Sequence, residues 1–183
     1  PKEIRNLALG LLAVSVVCGL AIVALTGLPV LWIGLAGVIC TLLYPVLKYN
    51  ALGDLDILLT FAFLPTIGTS YAVTGFIDWN VLYIALPVGL ITDGILHSNN
   101  TRDMRTDARA GITTMAMSMG PKAAAWLYGF EMIFPYVWVG VLSMTGILPV
   151  HTVAIFLTLV LAISNAKIMK NSLEGGVGMI ADL

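Results

Sequence analysis

Asp103 and Asp107 stand four residues apart in the densest polar stretch of the chain, His97-Ser98-Asn99-Asn100-Thr101-Arg102-Asp103-Met104-Arg105-Thr106-Asp107-Ala108-Arg109-Ala110-Gly111. Carboxylates at i and i+4 project from one face of a helix and can share a divalent cation. Mg²⁺ suits them because it is small, hard and oxygen-seeking, and it takes its remaining ligands from water and from a substrate's phosphates. The spacing therefore points to a site that handles a diphosphate. The plain alternative is a solvated loop of i, i+3 and i, i+4 ion pairs, each worth roughly 0.2–0.5 kcal/mol.

The setting of the block decides how much weight it carries. The chain has 183 residues, 59% of them hydrophobic and only 10% charged, with a mean hydropathy of +0.98, far outside the composition of a water-soluble domain. Five of its nineteen Lys, Arg, Asp and Glu residues sit in residues 97 to 111. Ionisable groups near or inside a bilayer are costly unless paired, solvated or metal-bound, so such a cluster marks a functional site by default.

Six apolar stretches, residues 7–26, 29–47, 56–75, 80–97, 122–145 and 149–166, each approach the roughly 20 residues that a helix needs to cross the hydrocarbon core. Turn residues separate them at Gly27-Leu28-Pro29, Gly75 to Asn80 and Gly146 to Pro149. Threading six spans puts all nine basic residues on one side: Lys2, Arg5, Lys48, Arg102, Arg105, Arg109, Lys122, Lys167 and Lys170. The other side carries Asp78 and His151. By the positive-inside rule the polar loops face the cytoplasm. The same threading sets the 97–111 block beside the loop from Tyr44 to Asp56. Net charge is −1 with both signs on one surface, so nothing argues for nucleic acid as a partner. The lipid bilayer is the partner that composition demands.

If the fourth helix continues into the block at about 100° per residue, Asp93, His97, Asn100, Asp103 and Asp107 fall within an arc of roughly 120°, with Arg102, Arg105 and Arg109 opposite. A stripe of oxygen and nitrogen ligands then runs from the hydrocarbon to the interface. Asp93 and His97 either satisfy each other within the membrane or serve a ligand. Asn99 and Asn100 either orient ligands or simply end the span. Upstream, Lys48 is either a point charge for phosphate oxygens or a snorkelling anchor flanked by Tyr44 and Tyr49. Gly53-Asp54 reads as a turn into the third span. Glu131, near Pro135, reads as a carboxyl hydrogen-bonded to a neighbouring helix. Cys18 and Cys40 lie within spans and read as small buried hydrophobes, not as a disulfide or a metal site. Pro1 in place of Met, and apolar character resuming at the far end, lead us to expect a fragment.

Tyr44 and Lys48 match a Y-x-x-x-K motif, and Asp103, Asp107 and Gly111 match D-x-x-x-D followed by a short spacer and Gly. In this order and on one membrane face, the motifs resemble those of the UbiA superfamily of intramembrane prenyltransferases. The strings His97 to Asp103, Lys48-Tyr49 and Ala51 to Asp54 look most like its menaquinone branch, which includes 1,4-dihydroxy-2-naphthoate polyprenyltransferase. Where many relatives carry Lys after the motif's Gly, this chain has Ile112, as apolar members of the branch do.

The resemblance implies an all-α, polytopic transmembrane bundle in which six spans of an expected nine are present. Residues 1–183 would form a single prenyltransferase domain lacking the first two helices and the last, and so inactive alone. It implies Mg²⁺ as cofactor on Asp103 and Asp107, with a second ion on an N-D-x-x-D motif outside the chain. The substrates implied are an isoprenyl diphosphate and an aromatic acceptor. Lys48 and Tyr44 would act on the leaving diphosphate and the cation, Asn99, Asn100 and Arg102 would orient ligands, and Asp93 or His97 would seat the acceptor. The location implied is the bacterial plasma membrane, with the site on the cytoplasmic side. Acceptors such as 4-hydroxybenzoate or a haem precursor are alternatives within the enzyme class. From another class, a cation-coupled transporter would use Asp93, His97 and Glu131. A CDP-alcohol phosphotransferase would need a D-G-x-x-A-R string, which is absent.

Overall fold

Apolar runs of this length, punctuated by Pro and Gly, have one solution in lipid: helices, because only they satisfy every backbone group internally. The computed structural model describes residues 2–175, with side chains through residue 172. Residues 176–183 at the far end, where apolar character resumes, lie outside it. Among the described residues there is no strand, and six helical stretches are long and apolar enough to cross a membrane.

In chain order the helices are α1 (Lys2–Thr26), α2 (Leu28–Tyr49), α3 (Gly53–Ile57), α4 (Leu64–Thr74), α5 (Leu82–Arg109), α6 (Met115–Met119), α7 (Pro121–Met144) and α8 (Leu159–Gly175). A π-helical segment, Leu58–Phe63, joins α3 to α4 so that Gly53–Thr74 forms one span, and a 3₁₀ segment, Val150–Thr158, leads into α8. Prolines sit in the first turns of α2, α4 and α7, where the missing N–H would have no helical partner anyway.

Packing divides the molecule in two. α1 and α2 have no buried residue and lie against α4. Cys18 is accordingly exposed and Cys40 half-buried, both free. This corrects the expectation that both are small buried hydrophobes: α1 meets too few neighbours among the described residues to bury Cys18. The buried half is α5 with α7, α8 and the π segment. Here Trp138 Nε1 donates to the Tyr83 carbonyl at 2.9 Å, tying α7 to the start of α5. Hydroxyl pairs join α7 to the sixth span, Tyr136 Oη to Thr158 Oγ1 at 3.0 Å and Ser143 Oγ to Thr152 Oγ1 at 2.7 Å. Lipid supplies no hydrophobic drive between helices, so such bonds and close packing must hold them together.

α5 packs tightly on the π segment at Gly89, where a Cβ would lie 2.6 Å from Leu58 Cδ1 and 2.7 Å from Ala62 Cβ. Ala62 is itself buried and has no rotamer with which to yield. Gly89→Ala must therefore push α5 off the π segment. We expect it to cost about 1–3 kcal/mol, the usual range for overpacking, read as a lowered unfolding midpoint in detergent. An unchanged midpoint would show that this contact does not set the helix spacing.

Candidate functional site

Two polar centres lie along α5, one buried at mid-helix and one at its open end. α5 is unbroken through Arg109, so the arc expected from Asp93 to Asp107 is built. The structure then sorts its members by depth. Asp93, His97 and Asn100 are buried, while Asp103 and Asp107 are half-buried beyond them.

The buried centre is organised by Asp54, whose place after Gly53 reads as a turn in the sequence but which is a buried carboxylate in the first turn of α3. Its carboxylate is 3% exposed and lies 2.9 Å, through Oδ2, from Nδ1 of the fully buried His97. Asn100 Nδ2 donates to the other oxygen at 3.4 Å. The second ring nitrogen of His97 is 3.0 Å from the carbonyl oxygen of Ala124, at the start of α7. Three helices thus meet on one imidazole. His97 is not paired with Asp93, as one sequence reading allowed; one carboxyl oxygen of Asp93 has no hydrogen-bond partner. Glu131 Oε2 is likewise buried without a partner, where a bond to a neighbouring helix was expected. It comes up against α5 at Gly94, whose added Cβ would lie 3.6 Å from it.

The open centre joins the ends of α2 and α5. Ala51 N donates to the Thr113 carbonyl at 3.2 Å, pinning the loop after α2 to the loop after α5. Gly53 lets the chain fold back on α2, since a Cβ there would stand 3.3 Å from Lys48 Cα. Lys48 is half-buried and close enough for its charge to act on Asp103. Tyr44, one turn earlier on α2, is also half-buried. Arg102 does not point away from the acidic face. Its guanidinium swings round the unbroken helix and forks onto Asp103, Nε to Oδ1 at 2.8 Å and Nη2 to Oδ2 at 2.9 Å. Asn99 and Asn100 are parted by the helical turn: Asn100 is buried on Asp54, and Asn99 lies on the exposed face with Ile95.

The donor set of the open centre can be weighed against the metal that the motif implies. It is all oxygen, two carboxylates one helical turn apart and open to solvent. Among the described residues no third acidic, His or Cys ligand joins them. That is too sparse for a protein-made cage and suits Mg²⁺, which relies on waters and substrate phosphates. The Arg102 fork is no bar. Its side chain and that of Asp103 are 38% and 41% exposed, and an exposed pair is worth about 0–1 kcal/mol.

The buried pair carries the sharper structural prediction. Leaving one partner of a buried ion pair alone typically costs about 3–5 kcal/mol, whereas replacing both by apolar groups costs far less. We expect Asp54→Leu to lower the unfolding midpoint in detergent strongly and the double variant Asp54→Leu/His97→Leu to recover part of the loss. Additive losses would show that the two side chains act independently.

Comparisons with known proteins bear on the chain as a whole. The family model for the UbiA prenyltransferase family matches residues 2–173. The chain is 34% identical to UbiA prenyltransferase domain-containing protein 1 of Gallus gallus over 142 residues, 74% of this chain and 43% of that protein. It is 43% identical to the Homo sapiens protein of the same name over 96 residues, covering 52% and 28%. Against the Drosophila melanogaster homolog the identity is 45% over 89 residues, covering 49% and 25%. The chain thus matches less than half the length of each of these relatives.

Proposed function

The chain belongs to the UbiA prenyltransferase family, and from that premise we propose that in the whole protein it forms one wall of a Mg²⁺-dependent site for polyprenyl transfer. The donor is an isoprenyl diphosphate and the acceptor an aromatic ring, 1,4-dihydroxy-2-naphthoate of menaquinone biosynthesis being the one favoured by the motif strings. The observation that carries this reading is the approach of Lys48 to Asp103, one helical turn from Asp107, at the end of the bundle where the Ala51–Thr113 bond joins the two loops.

In the reaction the bond from the allylic carbon to the diphosphate oxygen breaks, and its electron pair leaves with the diphosphate. The electron-rich ring attacks the allylic cation. A ring carboxylate then departs as CO₂ and returns its bonding pair to the ring. Charge builds on the diphosphate as it leaves, so fixed positive charge there lowers the barrier. Lys48 supplies an ammonium on the protein side. Asp103 and Asp107 would hold Mg²⁺, which neutralises phosphate charge when bound. Arg102 is placed to exchange its hold on Asp103 for a phosphate oxygen, and Tyr44 to shield the cation or bond the diphosphate.

The buried centre has a different part. Both ring nitrogens of His97 are engaged, so we assign it and Asn100 to positioning the Gly53–Asp54 corner. The unpartnered oxygen of Asp93 is the group left to seat an acceptor hydroxyl. Asn99 faces out from α5, and a role for it in orienting ligands would be met on that face. The positive-inside arrangement supports a cytoplasmic opening.

The test is an assay of the full-length protein in vesicles, with labelled prenyl diphosphate and a panel of aromatic acceptors. We expect Asp103→Ala, Asp107→Ala and Lys48→Met each to lower turnover by about 10²-fold or more, the scale seen when a stabilising group is removed from a developing charge. Chelating the metal should abolish turnover. Activity indifferent to the two aspartates and to chelation would overturn the metal role, and preference for another acceptor would reassign the substrate.

A further inference from the structure

A cavity lies on the opposite face of α7 from Glu131, between α7 and α8, with a volume of about 1020 Å³. It plays no part in the prenyl-transfer reading. Its floor is made of small residues, with Gly129 close against Ala166. Its wall is an aromatic ladder at i, i+4 and i+8. Trp126 stacks on Phe130 with centroids 6.1 Å apart and planes at 13°, and Phe130 on Phe134 at 4.8 Å and 26°. At one mouth stand Lys122 from the first turn of α7 and Lys167 and Lys170 from α8. All three lysines are exposed, and among the described residues none is in an ion pair.

We propose that this groove is a binding site for an anionic phospholipid. Its phosphate lies among Lys122, Lys167 and Lys170, and one acyl chain lies along Trp126, Phe130 and Phe134. Length favours a lipid over a protein helix. From Lys122 to Val137, the far end of the lining, is roughly 22 Å at about 1.5 Å per residue, which fits a headgroup layer plus the roughly 15 Å of a single leaflet. A spanning helix would need the whole thickness. Charge favours an anion: basic pockets between helices on the cytoplasmic side bind acidic headgroups, and this mouth lies on the side that carries every Lys and Arg of the chain. The chemistry of the mouth separates this ligand from the prenyl substrate. Among the described residues the lining contains no carboxylate, so a metal-bound diphosphate finds no ligand for its cation on them. Ammonium groups acting as point charges suit a phosphodiester.

Trp126 lies in the groove and is 71% exposed, so it reports occupancy. The full-length protein and its Trp126→Phe variant are placed in bilayers with a fixed fraction of tail-brominated phosphatidylglycerol or phosphatidylcholine. The difference between their emissions gives the quenching of Trp126. The expected result is several-fold stronger quenching by the glycerol lipid. That preference should vanish in the variant K122Q/K167Q/K170Q while quenching by the choline lipid stays the same. Should the triple variant fail to fold, K167Q and K170Q singly should each reduce the preference. Equal quenching by the two lipids would overturn the proposal. So would quenching by neither, which means that a protein segment or a second copy covers the groove. Loss of the preference on adding isoprenyl diphosphate would assign the groove to that substrate.

Discussion

The arrangement turns on one imidazole. A carbonyl oxygen can only accept, so the contact with Ala124 requires the hydrogen on His97 Nε2. The contact of Nδ1 with Asp54 then needs one more proton, carried either by the ring or by the carboxyl. In both states the pair is neutral as a unit and both groups are satisfied. That neutrality is what lets an acid and a base sit at 3% and 0% exposure in a chain whose solvent is hydrocarbon. The same proton ties α3 to α5, and the Ala124 bond adds α7.

Fixing Asp54 fixes what lies on either side of it. Gly53 is pressed against Lys48, and two residues earlier Ala51 is bonded to Thr113. Ala51 takes a positive φ of 61° to make that turn, a strained conformation for a residue with a Cβ. Such strain persists only where the surroundings over-determine it, as they do here through the Thr113 bond on one side and the Asp54 contacts on the other. The result is that Lys48 and the Asp103–Asp107 turn are held at a common level although 55 residues separate Lys48 from Asp103.

Much of this was legible in the residues. The spans were set by apolar length. The polar stripe on α5 was set by helical period, and its arc is kept because no break occurs near Asn99. The facing of the two loops followed from the one-sided distribution of Lys and Arg. Asp54 was hidden because Gly-Asp has turn composition, and its partner His97 is 43 positions away, a pairing that no local pattern encodes. Arg102 was misplaced because helical period locates a Cβ and not the end of a long side chain. The π segment Leu58–Phe63 and the 3₁₀ segment Val150–Thr158 were invisible for a different reason: an apolar run states that backbone bonds must be internal, not whether they close at i+3, i+4 or i+5. α6 spans five residues, too few for periodicity to register.

The two halves of the bundle differ in what holds them, and the difference follows from the solvent. In water, the exposed Leu, Ile and Val of α1 and α2 would drive association; in lipid they gain nothing by it. α1 and α2 present apolar faces with no buried residue among the described ones, and the cavity of about 750 Å³ between them and α4 is lined almost wholly by apolar and small residues. Polar contacts in α5, α7 and the start of α3 do what burial does in a soluble core. They are directional, so they specify rotation and depth as well as proximity. The proposed site, two carboxylates at one turn's spacing near an ammonium, gains that kind of constraint. It is built on the helices that polar bonds lock, and α2 reaches it through the corner that Asp54 holds.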